Sequence, residues 1–268
     1  MTTSRSFPAS FLHGAPQPLC VSRRGVHGSP FECYSRAASD RNPSFLFESG
    51  KGPATTGRYS FLATEPYQVF SGSHQSWILR SADGRTQTGL APFSTLARLM
   101  QRSPIARPPG APPFFGGAVG YLSYDLVRQF ESLPNHAEND LHFPDLEFAF
   151  YDLVAAFDHT SDEWQLIFCP PLERFLGEPR EKLYREGCDR LAALDAQLST
   201  PRPQPAATLE PVTFYPQQSR DSYMDRVRRC QDYIAAGDLY QANLSHRDRK
   251  STRLNSSHVK RSRMPSSA

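Results

Sequence analysis

Four short runs of strand character follow one another between residues 44 and 80, at 44–49, 58–63, 67–71 and 76–80. Each run combines aromatic or branched aliphatic residues with flanking turn residues, a composition that predicts strands. Strands joined by such short connections form a meander, in which neighbouring strands run antiparallel. This part of the chain is therefore predicted to form an antiparallel sheet.

Apolar residues recur at helical spacing in five other segments, which predicts helices there. These segments begin at Pro30, cover residues 93–101, begin at Tyr124, run from Leu183 to Leu198, and run from Tyr223 to Ile234. Further strands are predicted at 146–157, 164–169 and 239–244. The chain thus combines helices with short strands along most of its length.

A proline-rich stretch divides the chain. Residues 200–211 hold four prolines in twelve residues, which predicts an extended linker. Residues 1–29 mix Ser, Pro, Gly and His without periodicity and are predicted to be a poorly ordered arm. These boundaries leave one domain at 30–199 and a second, shorter structured segment at 212–247.

The basic charge of the chain lies at its C-terminal end. The formal net charge is +3, but residues 248–268 hold six basic residues and one acidic residue. Residues 1–247 therefore have 24 basic and 26 acidic residues, a net charge of −2. The 248–268 tail is Ser-rich, has no aromatic residue on which a base could stack, and is similar to translated sequencing-adapter DNA. No nucleic-acid partner is expected, and a genuine basic tail for an acidic partner or nucleic acid is the alternative.

The cysteines and the hydropathy pattern indicate the compartment. There are five cysteines, an odd number at wide spacings without a CxxC pair, which argues against a disulfide framework or a zinc site. The N-terminal residues lack the apolar segment of a secretory signal. No apolar run approaches the roughly 18 residues of a membrane span. We therefore expect a cytoplasmic protein with free thiols and no membrane contact.

No cluster of residues specifies a chemistry by itself. Three sets stand out: Gly116, Gly117 and Gly120; Asp125, Arg128 and Glu131; and His136, His142 and His159. The glycines match neither common phosphate-binding pattern, and glycines within a strand usually mark close backbone approach. The charged residues have the spacing of a solvated helix face with ion pairs. The histidines stand alone in turn-like segments and are expected at the surface.

Three segments resemble, in order, motifs of the chorismate-utilising amination enzymes. They are FLFESG at 45–50 with GRYSFL at 57–62, FFGGAVGYLSYD at 114–125 followed by Arg128 and ESLP at 131–134, and AGDLYQANLSHR at 236–247. Their shared order over residues 31–247 argues against a chance match.

The family has two branches, anthranilate synthase component I and aminodeoxychorismate synthase component I. YQANLS at 240–245 and FESLP at 130–134 resemble the aminodeoxychorismate branch. The resemblance implies amination of chorismate to 4-amino-4-deoxychorismate, for 4-aminobenzoate and folate biosynthesis. Two alternatives stay open: an anthranilate synthase component I of tryptophan biosynthesis, and a non-catalytic module that binds tryptophan or docks a subunit.

The resemblance also implies an α+β fold like that of anthranilate synthase component I, with facing sheets wrapped by helices. The N-terminal domain would be followed by only the first helix and strand of the chorismate-binding domain. The full-length family takes ammonia from a glutamine amidotransferase subunit, component II, and requires Mg²⁺. Its catalytic lysine, acid/base residues and magnesium-binding glutamates follow the YQxNLS segment. No catalytic, cofactor-binding or metal residue is therefore expected in this chain, which is expected to be inactive.

By the same resemblance, Ser49, Tyr59 and Ser60 line a tryptophan pocket. A serine hydroxyl can hydrogen-bond an amino-acid ammonium or carboxylate, and Tyr59 could cover an indole face. The alternative is that Ser49 only ends a strand and Tyr59 belongs to the core.

Overall fold

The computed structural model describes residues 9–24, 28–39, 42–50, 57–100, 105, 107–133, 139, 141–200, 214–216, 218–245 and 248–250. The chain divides between Pro203 and Gln204 into two compact units. Most of the predicted linker, at 201–211, and most of the predicted tail, at 251–268, lie outside the described residues. Within the described part, no helix is long and apolar enough to cross a membrane.

The first unit contains five α-helices, one 3-10 helix and ten strands among its described residues. The helices are α1 Ala9–His13, α2 Pro30–Ala37, α3 Pro92–Met100, α4 Leu172–Gly177 and α5 Arg180–Ser199, with the 3-10 helix at Tyr124–Gln129. The strands are β1 Leu19–Arg23, β2 Phe45–Phe47, β3 Tyr59–Ala63, β4 Gln68–Ser73, β5 Ser76–Ser81, β6 Thr86–Leu90, β7 Gly117–Leu122, β8 Leu146–Tyr151, β9 Leu153–Asp158 and β10 Glu163–Phe168.

The strands form two five-stranded antiparallel sheets. Sheet A has the order β1-β10-β9-β3-β2, and sheet B has the order β6-β5-β4-β8-β7. The chain passes from sheet B to sheet A at Asp152, the single residue between β8 and β9. The predicted antiparallel pairing of neighbouring strands is confirmed for β2–β3 and β4–β5. The prediction that the four strands between residues 44 and 80 form one sheet is wrong, because the chain passes from sheet A to sheet B between β3 and β4. Strand β6, which pairs with β5, was not predicted.

The apolar side chains divide the unit into four layers. One face of sheet A packs on α2 and α5 through a core that includes Cys33, Leu62, Trp164 and Leu191. The other face of sheet A packs on sheet B. The far face of sheet B is covered by α3 and the 3-10 helix. Because side chains alternate along a strand, β3 sends Ser60 and Leu62 toward the helices, and Phe61 and Ala63 toward sheet B. The mixture of facing sheets and helices is the predicted α+β architecture.

The prediction of a poorly ordered arm over residues 1–29 is wrong for the described residues 9–23. These residues form α1 and β1, and β1 pairs with β10 from Leu19–Phe168 to Arg23–Trp164. Phe11 is buried between α4 and α5, where it contacts Phe175 and Tyr184. The segment lacks a long apolar pattern because β1 is an edge strand with only one partner strand.

The second unit contains α6 Arg220–Ala236 and a short antiparallel pair, β11 Phe214–Pro216 with β12 Asp248–Lys250. The predicted helix is confirmed: its N-terminus is capped by the Ser219 hydroxyl, and Gly237 ends it with a left-handed φ of 82°. The predicted strand at 239–244 is wrong. That segment has β-forming residues, but no described strand lies beside it to complete its hydrogen bonds, and Tyr240 is 97% exposed.

Of the glycines at 116, 117 and 120, Gly120 allows the close backbone approach that was expected of glycines within a strand. In β7, a Cβ added to Gly120 would lie 2.0 Å from the Glu147 carbonyl oxygen on β8. Gly120 therefore allows the two strands to approach closely, and a side chain there would push them apart.

We expect Gly120→Ala to destabilise the first unit by about 1–3 kcal/mol, because the new methyl group collides with backbone that cannot move aside. Urea unfolding followed by circular dichroism measures the loss. Gly177→Ala is the matched control, since nothing lies within 4 Å of the added Cβ and its φ is not left-handed. Equal midpoints for the two variants would contradict the close-approach explanation.

A chain ended after Pro203 should unfold with the same urea midpoint as the intact chain. The reason is that every buried apolar residue whose burial the structure describes lies at or before Leu198, whereas α6 contributes none. Loss of the cooperative transition in the shortened chain would show that the second unit supports the first.

Candidate functional site

Ser49 lies just beyond the β2–β3 ladder and is tied to β3 by both of its hydrogen-bond donors. The register pairs Phe47 with Phe61, so Ser49 comes opposite Tyr59. The Ser49 backbone N–H donates to Ser60 Oγ over 2.9 Å, and the Ser49 hydroxyl donates to the Tyr59 carbonyl oxygen over 2.5 Å. Since its proton is used, the hydroxyl oxygen of Ser49 can act toward a ligand only as an acceptor.

Ser60 is the centre of this cluster. Its side chain is fully buried, and its Oγ lies 2.7 Å from His159 Nε2 in addition to its bond with the Ser49 amide. Ser60 pairs with Phe157 across β3 and β9, and the His159 and Phe157 rings form a T-shaped pair with centroids 4.9 Å apart. His159 was expected at the surface, and it is exposed. Its bond to Ser60 joins residues 99 positions apart, so no sequence spacing could have predicted it.

Tyr59 joins the cluster through its backbone rather than its ring. Because neighbouring residues on a strand point to opposite faces, its ring lies on the other side of sheet A from the Ser60 hydroxyl. The ring packs at 5.9 Å from the Phe61 ring, and the Arg58 guanidinium lies 4.8 Å from its centroid. The structure therefore brings Ser49 and Ser60 together, with the carbonyl oxygen of Tyr59 as the third group.

Asp158 fixes the end of β9 beside the cluster. Its buried carboxylate accepts hydrogen bonds from Arg58 Nη2 at 2.7 Å and Nε at 3.1 Å, and from the Thr160 backbone N–H at 2.9 Å. Burial opposes ionisation of the carboxyl group, but the hydrogen bonds from Arg58 and Thr160 outweigh it and lower the pKa of Asp158. The His159 backbone N–H donates to the Arg58 carbonyl oxygen at 2.8 Å, which anchors the histidine to β3.

The pair of Ser60 and His159 resembles a nucleophile with its base, but the geometry does not suit covalent catalysis. A serine nucleophile must present Oγ to a substrate. Ser60 Oγ is fully buried and already holds two partners. The cluster is suited to hold Ser49, whose oxygen can then accept hydrogen bonds from a ligand's ammonium.

The described residues show no candidate metal site. Among them, no group of three or more His, Cys, Asp or Glu side chains could hold a metal ion. We therefore assign no step to Mg²⁺ in this part of the chain. All five cysteines are free thiols, as predicted, and burial raises the pKa of Cys169 to about 12.

A separate cleft of about 720 Å³ is lined by charged side chains that satisfy one another. Arg174 bonds Glu178 and Glu186 at 2.6 Å each, and Arg190 bonds the buried Asp152 at 2.7 and 2.8 Å. Hydrogen bonds from Arg174 and from Lys182 lower the pKa of Glu178 to about 2. This network joins α4 and α5 to the crossing between the sheets.

Residues 42–262 match the family model described as chorismate binding enzyme. The chain belongs to that family. The matched range includes Ser49, Tyr59, Ser60 and His159.

The chain is similar in sequence to curated anthranilate synthase components. The chain is similar to anthranilate synthase component 1 of Geobacillus stearothermophilus, 31% identical over 215 residues that cover 76% of this chain and 42% of that protein. It is also similar to anthranilate synthase component 1 of Thermus thermophilus, 33% identical over 223 residues that cover 82% and 44%. The chain thus spans less than half the length of these curated relatives.

A solved structure shares the fold. The crystal structure of anthranilate synthase component I from Streptococcus pneumoniae superposes with a TM-score of 0.56 and 24% identity, over 84% of this chain and 48% of that one. The predicted α+β fold like that of anthranilate synthase component I is confirmed.

Asp158→Asn should lower the urea midpoint at pH 7, and the difference from the wild type should shrink as the pH falls below about 4. The sign follows from the lowered pKa: the ionised carboxylate stabilises the fold above the unfolded-state pKa, and that stability is lost as pH falls through the folded-state pKa. Asp189→Asn, at an exposed position of α5, is the control. A difference that stays constant with pH would contradict the role of the Asp158 charge.

Proposed function

We propose that the chain corresponds to the N-terminal half of a component I synthase that aminates chorismate, and that it belongs to the aminodeoxychorismate branch. Membership of the chorismate binding enzyme family supports the use of chorismate. The observation that carries the branch is YQANLS at 240–245, supported by FESLP at 130–134. The proposed product is 4-amino-4-deoxychorismate, for 4-aminobenzoate and folate biosynthesis.

Anthranilate synthase component I is the second candidate. It is favoured by the names of the two relatives described above. The gene should be read beyond codon 247, and the whole reading frame should be assayed with chorismate, ammonia and Mg²⁺, with the product identified by mass spectrometry. 4-Amino-4-deoxychorismate keeps the enolpyruvyl group, whereas anthranilate has lost it. Anthranilate would overturn the proposed branch, and no conversion would overturn the reaction class.

The proposed partner is a glutamine amidotransferase subunit, component II, which would supply ammonia in the cytoplasm. The name component 1 of the relatives supports a second subunit. Mg²⁺ is proposed for the whole enzyme only, since the described residues offer no group of ligands for it.

Ser49, Tyr59 and Ser60 are proposed to form part of a tryptophan site. The support is chemical: the Ser49 hydroxyl donates its hydrogen bond to the Tyr59 carbonyl oxygen, and its lone pairs can accept a hydrogen bond from a ligand. An amino acid would therefore present its ammonium, rather than its carboxylate, to Ser49.

Ser49→Ala should weaken tryptophan binding by about 10- to 100-fold, because a hydrogen bond to a charged group contributes about 1.5–3 kcal/mol. Calorimetric titration of the 268-residue chain, and of the longer product if the reading frame continues, measures the affinity. Ser22→Ala, an exposed serine on β1, is the control. Equal affinities for the wild type and Ser49→Ala would remove Ser49 from the site.

The 268-residue chain itself should not convert chorismate, even with ammonia and Mg²⁺ supplied. Activated nucleophiles and metal sites need residues that follow the YQxNLS segment in the family. Chorismate absorbance in the presence of the protein should fall no faster than in a protein-free blank. Turnover above that blank would contradict the assignment of this chain to the non-catalytic half.

A further inference from the structure

We propose that His159 is a positioning residue of the Ser49 site: through the buried hydroxyl of Ser60 it holds the Ser49 backbone where the Ser49 oxygen can accept a ligand's ammonium. The proposal rests on the ligand site proposed above and adds a residue that the sequence motifs do not include. It depends on contacts between β2, β3 and the residue that follows β9.

The argument begins with the hydrogen-bonding capacity of Ser60. A hydroxyl has one proton and two lone pairs, and one lone pair of Ser60 Oγ accepts the Ser49 N–H at 2.9 Å. His159 Nε2, at 2.7 Å, is its other partner, and no third is found in the described part of the chain. With the ring proton on Nδ1, Nε2 accepts the Ser60 proton. That arrangement orients the lone pair of Ser60 toward the Ser49 amide.

His159 is itself held in two ways. Its backbone N–H donates to the Arg58 carbonyl oxygen at 2.8 Å, and its ring forms a T-shaped pair with the Phe157 ring. The preceding residue, Asp158, is fixed by two hydrogen bonds from Arg58. Although the His159 side chain is exposed, the ring therefore has a defined direction toward Ser60.

Loss of the His159 ring nitrogen would affect the Ser49 amide through the Ser60 hydroxyl. The fully buried Ser60 hydroxyl would lose the acceptor of its proton, and because an unsatisfied buried donor is costly, the hydroxyl would reorient. Its lone pair would then leave the Ser49 N–H, which has no other partner among the described residues. The Ser49 amide would open more often, although no residue that touches the ligand had been changed.

Two variants separate hydrogen bonding from packing. His159→Phe keeps a ring against Phe157 but has no nitrogen, whereas His159→Gln loses the ring but carries an amide that can reach Ser60. Hydrogen exchange of the Ser49 amide is measured by NMR in the 268-residue chain without ligand, and tryptophan affinity is measured by calorimetry. We expect His159→Phe to raise the exchange rate of the Ser49 amide about tenfold and to weaken tryptophan binding about tenfold. His159→Gln should stay within about twofold of the wild type.

The opposite result would overturn the proposal: if exchange and tryptophan affinity change in His159→Gln but not in His159→Phe, His159 acts only by packing on Phe157. Unchanged Ser49 exchange in His159→Phe would overturn it as well. The wild-type ring ¹⁵N spectrum gives a test that needs no variant, since a proton on Nε2 would contradict the proposed arrangement. If the wild type binds no tryptophan, the proposed ligand site fails, while the Ser49 exchange rates still decide the role of His159.

Discussion

The pairing of β3 with β9 is the contact on which the rest of the structure depends. It sets Tyr59 opposite Asp158 and Ser60 opposite Phe157 in the centre of sheet A. One face of these strands packs on α2 and α5 and the other on sheet B. A slip of one residue would turn every side chain to the wrong face, so burial on both faces fixes the register. The same register brings the Ser60 hydroxyl to His159.

The crossing between the sheets depends on a buried charge. Asp152 separates β8 from β9, is 1% exposed, and is bonded through both carboxylate oxygens to Arg190 of α5. A buried carboxylate without its partner is strongly destabilising, so the ion pair ties the position of α5 to the place where the chain changes sheets. Helix α5, which covers the face of sheet A that carries Ser60, is thus anchored at Asp152, just before β9 begins, whereas Ser60 lies opposite Phe157 near the other end of β9.

Local patterns in the sequence predicted much of this fold. Short strands with turn residues predicted the antiparallel pairs β2–β3 and β4–β5 but not their division between two sheets. Apolar spacing predicted α2, α3, α5 and α6, and Gly120 indicated close strands. Two failures have the same physical cause. β1 forms although its sequence is weakly apolar, because β10 offers it a partner, whereas 239–244 is rich in β-forming residues and has no described partner. Strand formation depends on the neighbour as much as on the segment itself.

The candidate site was predictable only in part. The family motifs placed Ser49 and Ser60 near each other because β2 and β3 are consecutive strands. The strand predicted at 58–63 already implies that the side chains of Tyr59 and Ser60 point to opposite faces, so the sequence could have separated the Tyr59 ring from the Ser60 hydroxyl. The Ser60–His159 bond depends on tertiary pairing across 99 residues, and an isolated histidine in a turn carries no sequence signal for it.

The central claim is that the buried Ser60 hydroxyl holds the Ser49 amide in place. Hydrogen exchange of the Ser49 N–H in Ser60→Ala tests it most directly, with amides in the middle of β3 as internal references. The account predicts that exchange at Ser49 becomes much faster while the β3 amides keep their protection. Unchanged exchange at Ser49 would contradict it.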